Sequence, residues 1–414
     1  MEGMDFLWLL LVTGANLWGI SVVLFLLWAA HYHWSHIELP HGICHPRKLS
    51  FLHFLLVVSF GMNHILRKVG LCKQFTILRL MMDASAKPVF RDPKLTIENV
   101  YIKGILVRIY QQKAPQIVRR GVVHIHGGAG VVGSIAAYEK VCRHLAKETD
   151  SVVFAIEYGL VPENPYPLHF QQCLDVTIHL LEHAGDYGAD PARIILCGDS
   201  FGGLITTVTC QALVQRKDIP KPRAQILLYT PVQFVKFSLP SYRQNCFIPL
   251  LLRRQFVTFG AQYFNRDVLI ADVLLEGSYV TEDMKTKYKK WLSADNIPKE
   301  FRKRESKVPV PAPRFADIHN IIRILLDTKF SPLFADDDVI RQLPETFILT
   351  CEYDILRDDG ILYKRRLEEN GVRVTWHHLV DGFHAALFFI DNWFFSFPCT
   401  KIGMDHVVNF IRGL

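Results

Sequence analysis

The sequence predicts an α/β fold: an eight-stranded, mostly parallel sheet with helices on both faces, a helical cap, and an apolar transmembrane helix at the N-terminus. Three observations predict it. From about residue 95, short apolar runs rich in β-branched residues alternate with longer segments of helical period. Between Pro231 and Leu343 that alternation stops. Phe6–Ala30, by contrast, carries no charge at all.

The N-terminal stretch is long enough to span the roughly 30 Å hydrocarbon core of a bilayer. A cleaved signal peptide has a shorter apolar core and a basic leader. Here the leader carries Glu2 and Asp5, and Trp28 interrupts any small-x-small cleavage pattern. Residues 1–31 therefore read as an uncleaved signal-anchor. Residues 32–94 read as an N-terminal helical or cap region. Within it, Phe51–Leu66 is apolar but holds His53, Asn63 and His64, which suits a packed or interfacial helix better than a second span.

Residues 95–414 form the α/β domain. Leu95–Lys103 and Ile105–Gln111 read as a hairpin joined at Gly104. Gly121–His126, Ser151–Tyr158, Arg193–Cys197, Ala224–Thr230, Thr346–Cys351 and Arg373–Leu379 supply six further strands. Between them, Ala136–Glu148, His169–His183 and Leu204–Gln215 have helical spacing, and Gly188 and Pro191 punctuate the turn into the fifth strand. A structureless loop between Pro231 and Leu343 would be abnormally long. That stretch, with its lysine-rich Lys285–Trp291 and its Pro-rich Val308–Pro313, reads as a cap insertion at about 232–330. The chain returns to the domain at Ser331-Pro332-Leu333.

Composition limits the function classes. Of 414 residues, 50% are hydrophobic, so a large core is available. The net charge of +7 is scattered, with no long basic run and no interleaved basic-aromatic patch of the kind that binds nucleic acid, which argues against that function. The nine cysteines form no C-x-x-C pair and suggest no zinc site.

Four motifs carry chemistry. Gly198-Asp199-Ser200-Phe201-Gly202 follows a strand and precedes a helix, the setting in which G-x-S-x-G forms a sharp turn that exposes a serine nucleophile. His126-Gly127-Gly128 ends the third strand, where a glycine loop can bring backbone N–H groups to a developing oxyanion. Its expected donors are Gly127 and Gly128, joined by the N–H of Phe201. The base must come last in the chain. His384, in Asp381-Gly382-Phe383-His384, lies after the final strand and before an apolar segment taken as a helix. His377 and His378 fall inside that strand, and His124 and His126 belong to the oxyanion strand. After the seventh strand, Glu352, Asp354, Asp358 and Asp359 compete as the acid. Asp354 is nearest the strand end without lying in it, whereas Asp358 and Asp359 suit a first helical turn. The catalytic triad is thus expected to be Ser200, Asp354 and His384, with no metal and no organic cofactor.

These motifs, together with Glu157-Tyr158-Gly159-Leu160-Val161-Pro162-Glu163 and Trp291-Leu292-Ser293-Ala294-Asp295-Asn296-Ile297-Pro298, resemble the arylacetamide deacetylase family of the hormone-sensitive-lipase-like α/β-hydrolases. The resemblance covers nearly the whole chain. It implies a carboxylic-ester or amide hydrolase, anchored as a single-pass type II protein with its catalytic domain in the lumen of the endoplasmic reticulum; the membrane anchor and an apolar cap suggest lipophilic substrates. Three positions depart from the family: Ala129 stands for a third loop glycine, Phe201 for a small residue, and Gly159 for an arginine. The departures at Ala129 and Phe201 raise one rival function, a weakly catalytic binding protein on the same fold; a second rival, an acyltransferase that uses an alcohol in place of water, is not separable from a hydrolase by sequence. The flanking charges point to the opposite orientation. Arg47 and Lys48 follow the span and no Lys or Arg precedes it, which alone would put the domain in the cytosol. The bias is small and at the edge of the counted window, so the expectation follows the resemblance.

Overall fold

The computed structural model describes residues 2–84, 92–113, 118–263, 269–276, 282–304 and 323–414. Its centre is one eight-stranded sheet. The strands are β1 (Leu95–Ile102), β2 (Ile105–Gln112), β3 (Arg119–Ile125), β4 (Val152–Ile156), β5 (Ala189–Asp199), β6 (Ala224–Leu228), β7 (Glu345–Tyr353) and β8 (Val374–Phe383). Their spatial order is β1-β2-β4-β3-β5-β6-β7-β8. β1 and β2 form an antiparallel hairpin from Leu95↔Gln112 to Ile102↔Ile105, and β2 pairs antiparallel with β4. From β4 onward the strands run parallel.

Alternation along each strand feeds two cores. In β5, Ile194 and Leu196 enter one apolar layer, and Ile195 and Cys197 enter the other. The first layer is closed by α5 (Leu168–His183), α6 (Phe201–Val214) and α13 (Arg357–Glu369). The second is closed by α4 (Glu139–Thr149) and α14 (Pro398–Arg412). A parallel sheet covered on both faces can use continuous apolar strands, which is why β4 is buried at every residue.

Between β6 and β7 the described residues form the helices α7 (Pro240–Gln244), α8 (Arg253–Tyr263), α9 (Leu269–Glu276), α10 (Glu282–Leu292) and α11 (Lys299–Arg302) of the cap, and α12 (Asp337–Ile340) just before β7. The Pro-rich Val308–Pro313 lies outside the described residues. Before the sheet come α1 (Glu2–His36), α2 (Pro46–Lys68) and α3 (Thr76–Asp83). α1 and α2 pack antiparallel: His33 Nε2 meets Ser50 Oγ at 2.8 Å, and a Cβ on Gly61 would lie 2.7 Å from the Phe25 ring. Asn16–His36 and Pro46–Lys68 are both long and apolar enough to cross a membrane by length and composition. α2 also packs on α3 and covers a cavity above the sheet.

Several element boundaries differ from the sequence expectation: β5 begins at Ala189, so Pro191 lies inside the strand and not in the turn before it, and three further differences bear on the site. α6 begins at Phe201 rather than Leu204, because Gly202-Gly203 sits in its first turn, where helix-breaking propensity yields to tight packing. A Cβ on Gly202 would lie 2.0 Å from the Ile125 carbonyl oxygen. β8 runs to Phe383, past Leu379; a register shift opposite Cys351 and Tyr353 absorbs Asp381-Gly382, which were expected to lie beyond the strand. The apolar segment after His384 forms only a single 3-10 turn, Ala386–Phe389, instead of the expected helix.

Candidate active site

The site starts from a turn. Ser200 has φ 49° and ψ −121°, a conformation disfavoured for a side-chain-bearing residue. The surroundings impose it. Ser200 N donates to Leu228 O of β6 at 2.8 Å, and Leu204 N donates to Ser200 O at 3.2 Å as α6 begins. A Cβ on Gly198 would come within 2.3 Å of Gly202 O, so the turn closes only with glycine there. The result lifts the serine hydroxyl above the C-terminal edge of the sheet.

Two loops meet it from β7 and β8, two and three strands away from β5 in the sheet. His384, directly after β8, places Nε2 2.9 Å from Ser200 Oγ. Its Nδ1 is 2.8 Å from Asp354 Oδ2, beyond the end of β7. A carboxylate only accepts, so Nδ1 carries the proton and Nε2 is free to accept from the serine hydroxyl. Asp354 is itself held. Its Oδ1 accepts from Leu356 N at 2.9 Å, and its carbonyl accepts from Asn245 Nδ2 at 2.8 Å. Tyr229 presents its ring edge to His384 at 5.2 Å. The structure therefore brings Ser200, His384 and Asp354 into one hydrogen-bonded line.

The competing residues are engaged elsewhere. Asp358 accepts from Ser241 N at 2.7 Å and pairs with Arg357, both side chains fully buried. Asp359 accepts from Val232 N, Gln233 Nε2 and Tyr242 Oη. Together they fasten the start of the cap to α13. Burial pushes the Asp359 carboxyl up to about 7, against the pull of those hydrogen bonds. His378 bonds Thr350 Oγ1 and faces Glu352, and His377 stacks on His406. His124 and His126 are buried and held well below the ordinary histidine range by desolvation.

The oxyanion loop corrects one expectation. Gly127 N donates to Asp199 Oδ1 at 2.8 Å, so it is already spent. Gly128 and Ala129, not Gly127, line the cavity beside Ser200 and Phe201. Gly128 has φ 116°, and a Cβ there would lie 2.1 Å from Val132 O. Ala129 adopts φ 56°, the left-handed conformation that a third glycine would take easily. Asp199 is the clamp: buried, it also accepts from Tyr138 Oη at 2.8 Å, tying the loop to the serine turn. Desolvation pushes its carboxyl up to about 6 despite those donors. The sequence reading missed Asp199, Tyr138 and Asn245. Asp199 alone was signalled, by its place inside the serine motif.

Above the line lies a cavity of about 340 Å³. Leu52, Leu55, Leu56 and Phe60 of α2 line it, with Leu78, Met81 and Met82 of α3, Phe256 and Phe259 of α8, and Phe388, Phe389 and Phe395 beyond His384. Ser200 and His384 face into it. Phe201 lines it too, but its ring is wedged against His169, Phe170 and Tyr263. Among the described residues, no cluster of His, Cys, Asp and Glu is arranged to hold a metal ion.

Known proteins share these features. A family profile for the alpha/beta hydrolase fold matches residues 122–286 and 321–388. The chain is 41% identical to Arylacetamide deacetylase-like 4 of Homo sapiens, over 98% of this chain and 99% of that one. It is 30% identical to Arylacetamide deacetylase of Mus musculus, over 92% and 95%. In structure it resembles carboxyl esterase 2 from the fungus Tuber melanosporum, with a TM-score of 0.60 and 21% identity over 80% of this chain and 89% of the other. With this sheet order and identity along nearly its full length, the chain belongs to the arylacetamide deacetylase family of α/β-hydrolases.

Proposed function

We propose that this protein hydrolyses lipophilic carboxylic esters, and amides by the same chemistry, from a membrane-anchored α/β domain. The protein is a carboxylic-ester hydrolase. The observation that carries the finer reading is the Ser200–His384–Asp354 line opening into an apolar cavity. In this mechanism His384 Nε2 takes the Ser200 proton as Oγ attacks the substrate carbonyl. Asp354 orients the imidazole and stabilises its charged form. The backbone N–H groups of Gly128, Ala129 and Phe201 stabilise the oxyanion. His384 then protonates the leaving alcohol or amine, and water releases the acid from the acyl-enzyme. An apolar cavity selects substrates whose acyl or alcohol part is hydrocarbon-rich, because burying it releases about 25 cal/mol per Å². Labelling by a fluorophosphonate probe tests the reading. Wild type should label and Ser200→Ala should not; labelling that survives Ser200→Ala means another serine is the nucleophile.

Residues 1–31 act as the anchor, residues 32–94 and about 232–330 form the cap, and the α/β domain faces the lumen of the endoplasmic reticulum. The uncharged stretch of α1 supports the anchor, and the family membership supports the luminal orientation against the small charge bias of Arg47 and Lys48. The chain has no N-x-[ST] acceptor, so one must be introduced. Lys303 is exposed on the cap, and Lys303→Asn with Glu305→Thr should be glycosylated in cells. If it stays bare while a control acceptor placed before Met4 is modified, the domain is cytosolic.

A further inference from the structure

The turn that follows His384 has an unusual division of labour. Asn392 and Phe395 line the cavity. Trp393 and Phe394, between them in sequence, point outward and are 86% and 50% exposed. The tip is a built turn: Asn392 Oδ1 accepts from Phe394 N at 3.2 Å and Phe395 N at 3.0 Å. Its rings are contiguous, with Trp393–Phe394 centroids 5.7 Å apart and Phe394–Phe395 centroids 4.7 Å apart. An exposed tryptophan contributes little to folding, so an aromatic tip held rigidly in water needs a partner.

Its position says which partner. Phe395 stacks on half-exposed Phe51 of α2 at 6.3 Å, and Lys48 Nζ reaches Ser396 O at 3.4 Å. One residue before Phe51, Ser50 bonds His33, just past the uncharged stretch of α1. The tip therefore lies beside the part of α2 that packs where α1 leaves its apolar segment, and exposed Tyr32 and Trp34 mark that same level. Tryptophan and tyrosine collect where hydrocarbon meets headgroups. Arg47 and Lys48 add cationic side chains suited to lipid phosphates.

We infer that the Asn392–Phe395 turn is a second membrane contact, which inserts Trp393 and Phe394 into the lipid surface and opens the cavity wall toward substrate held in the bilayer. The turn joins the cavity lining to the outer surface without a break, so a lipophilic ester can pass from lipid to Ser200 without crossing water. This inference rests on the reading of α1 as a membrane anchor and of Ser200 as the nucleophile.

The test uses the full-length protein reconstituted in phosphatidylcholine vesicles containing phosphatidylserine. Emission lost on Trp393→Phe, taken as the difference from wild type, isolates Trp393. Brominated phosphatidylcholine should quench that difference. Trp393→Ala with Phe394→Ala should lower turnover of a long-chain ester held in the vesicles roughly fivefold to tenfold, since surface affinity scales with buried apolar area. Turnover of a water-soluble acetyl ester in detergent should stay unchanged. If the Trp393 difference is unquenched while the remaining tryptophans are quenched, the turn does not touch lipid and the anchor stands. If no tryptophan is quenched, the anchor reading fails and the second contact falls with it. If the double variant loses a dimer seen for wild type by sedimentation, the partner is a second copy of this chain and the lipid contact is wrong. Absence of fluorophosphonate labelling in all variants, with quenching intact, sinks the nucleophile and leaves the membrane contact.

Discussion

The bottom and the top of the cavity are built on different principles. At the bottom, every functional polar group has a fixed partner. Asp354 is held by Leu356 N and Asn245, His384 by Asp354, and the oxyanion loop by Asp199 and Tyr138. At the top, α2, α3 and α8 contribute aliphatic and aromatic side chains that touch one another through non-directional contacts. A hydrogen bond weakens steeply over tenths of an ångström, so the lower wall tolerates almost no substitution. Apolar packing tolerates swaps of similar volume, so the upper wall can change its shape and with it the substrate. Chemistry is thus expected to be brittle here and selectivity to be adjustable.

The sharpest way to break this comparison is at the hydrogen-bonded line. His384→Ala should lower kcat by about 10⁴ or more, because triad members act as a unit. Asp354→Asn should cost about 10⁴, since the imidazole loses the acceptor that fixes its tautomer. His378→Ala, whose ring bonds Thr350 on the sheet, should leave acetyl-ester turnover within about twofold, as expected of a residue outside the active site. A similar loss at His378 would show that the division between wall and scaffold is drawn in the wrong place.

Asp358 separates holding from reacting. Its pair with Arg357 is fully buried, and breaking such a pair costs about 3–5 kcal/mol. Asp358→Asn should therefore lower the thermal midpoint while kcat per folded molecule survives. Should kcat collapse in folded protein, Asp358 and not Asp354 is the acid.

Asp359 gives the cap joint a pH dependence. Its folded pKa is raised to about 7 from an ordinary 3.8. Between those values the folded chain keeps a proton that the unfolded chain has released. The contribution is complete below about pH 4, declines as pH rises, and is gone above about pH 7. Asp359→Asn cannot titrate, so denaturant melts from pH 4 to 7 should show a slope of stability against pH more positive by up to about 1.4 kcal/mol per pH unit. Identical slopes in wild type and variant would mean the group ionises normally.

Phe201 lies at the seam between the two walls. Its backbone N–H is proposed as an oxyanion donor, but its ring belongs to the apolar packing around His169 and Tyr263. Phe201→Ala should raise kcat/KM for bulky acyl esters relative to acetyl esters by roughly tenfold, the scale of one pocket contact. An unchanged ratio would place the ring wholly in the core. The smallest effect is expected at the top: Leu55→Ala or Leu56→Ala should shift chain-length preference within a few-fold, again the scale of one apolar contact, and leave acetyl-ester turnover alone. A loss there as large as at Asp354 would erase the contrast.

Local sequence determined the strand order of the chemistry. Each motif couples a strand end to a residue type that only one geometry accommodates, as at Gly198-Asp199-Ser200-Phe201-Gly202 and His126-Gly127-Gly128. The alternation of buried strands and amphipathic helices similarly made the sheet and both its layers legible, because each buries its face by a simple period. Boundaries at Gly202-Gly203 and Asp381-Gly382 differ from the sequence expectation, because close packing holds the first pair inside α6 and a bulge holds the second inside β8. Tertiary structure alone decided which loop donors are free. Gly127 looks equivalent to Gly128 in sequence, and only the approach of Asp199, 72 positions away, takes its N–H out of use. The cavity was equally hidden. Its walls come from α2, α3, α8 and the turn after His384, segments whose apolar residues carry no motif, because non-directional contacts leave no spacing rule in the chain.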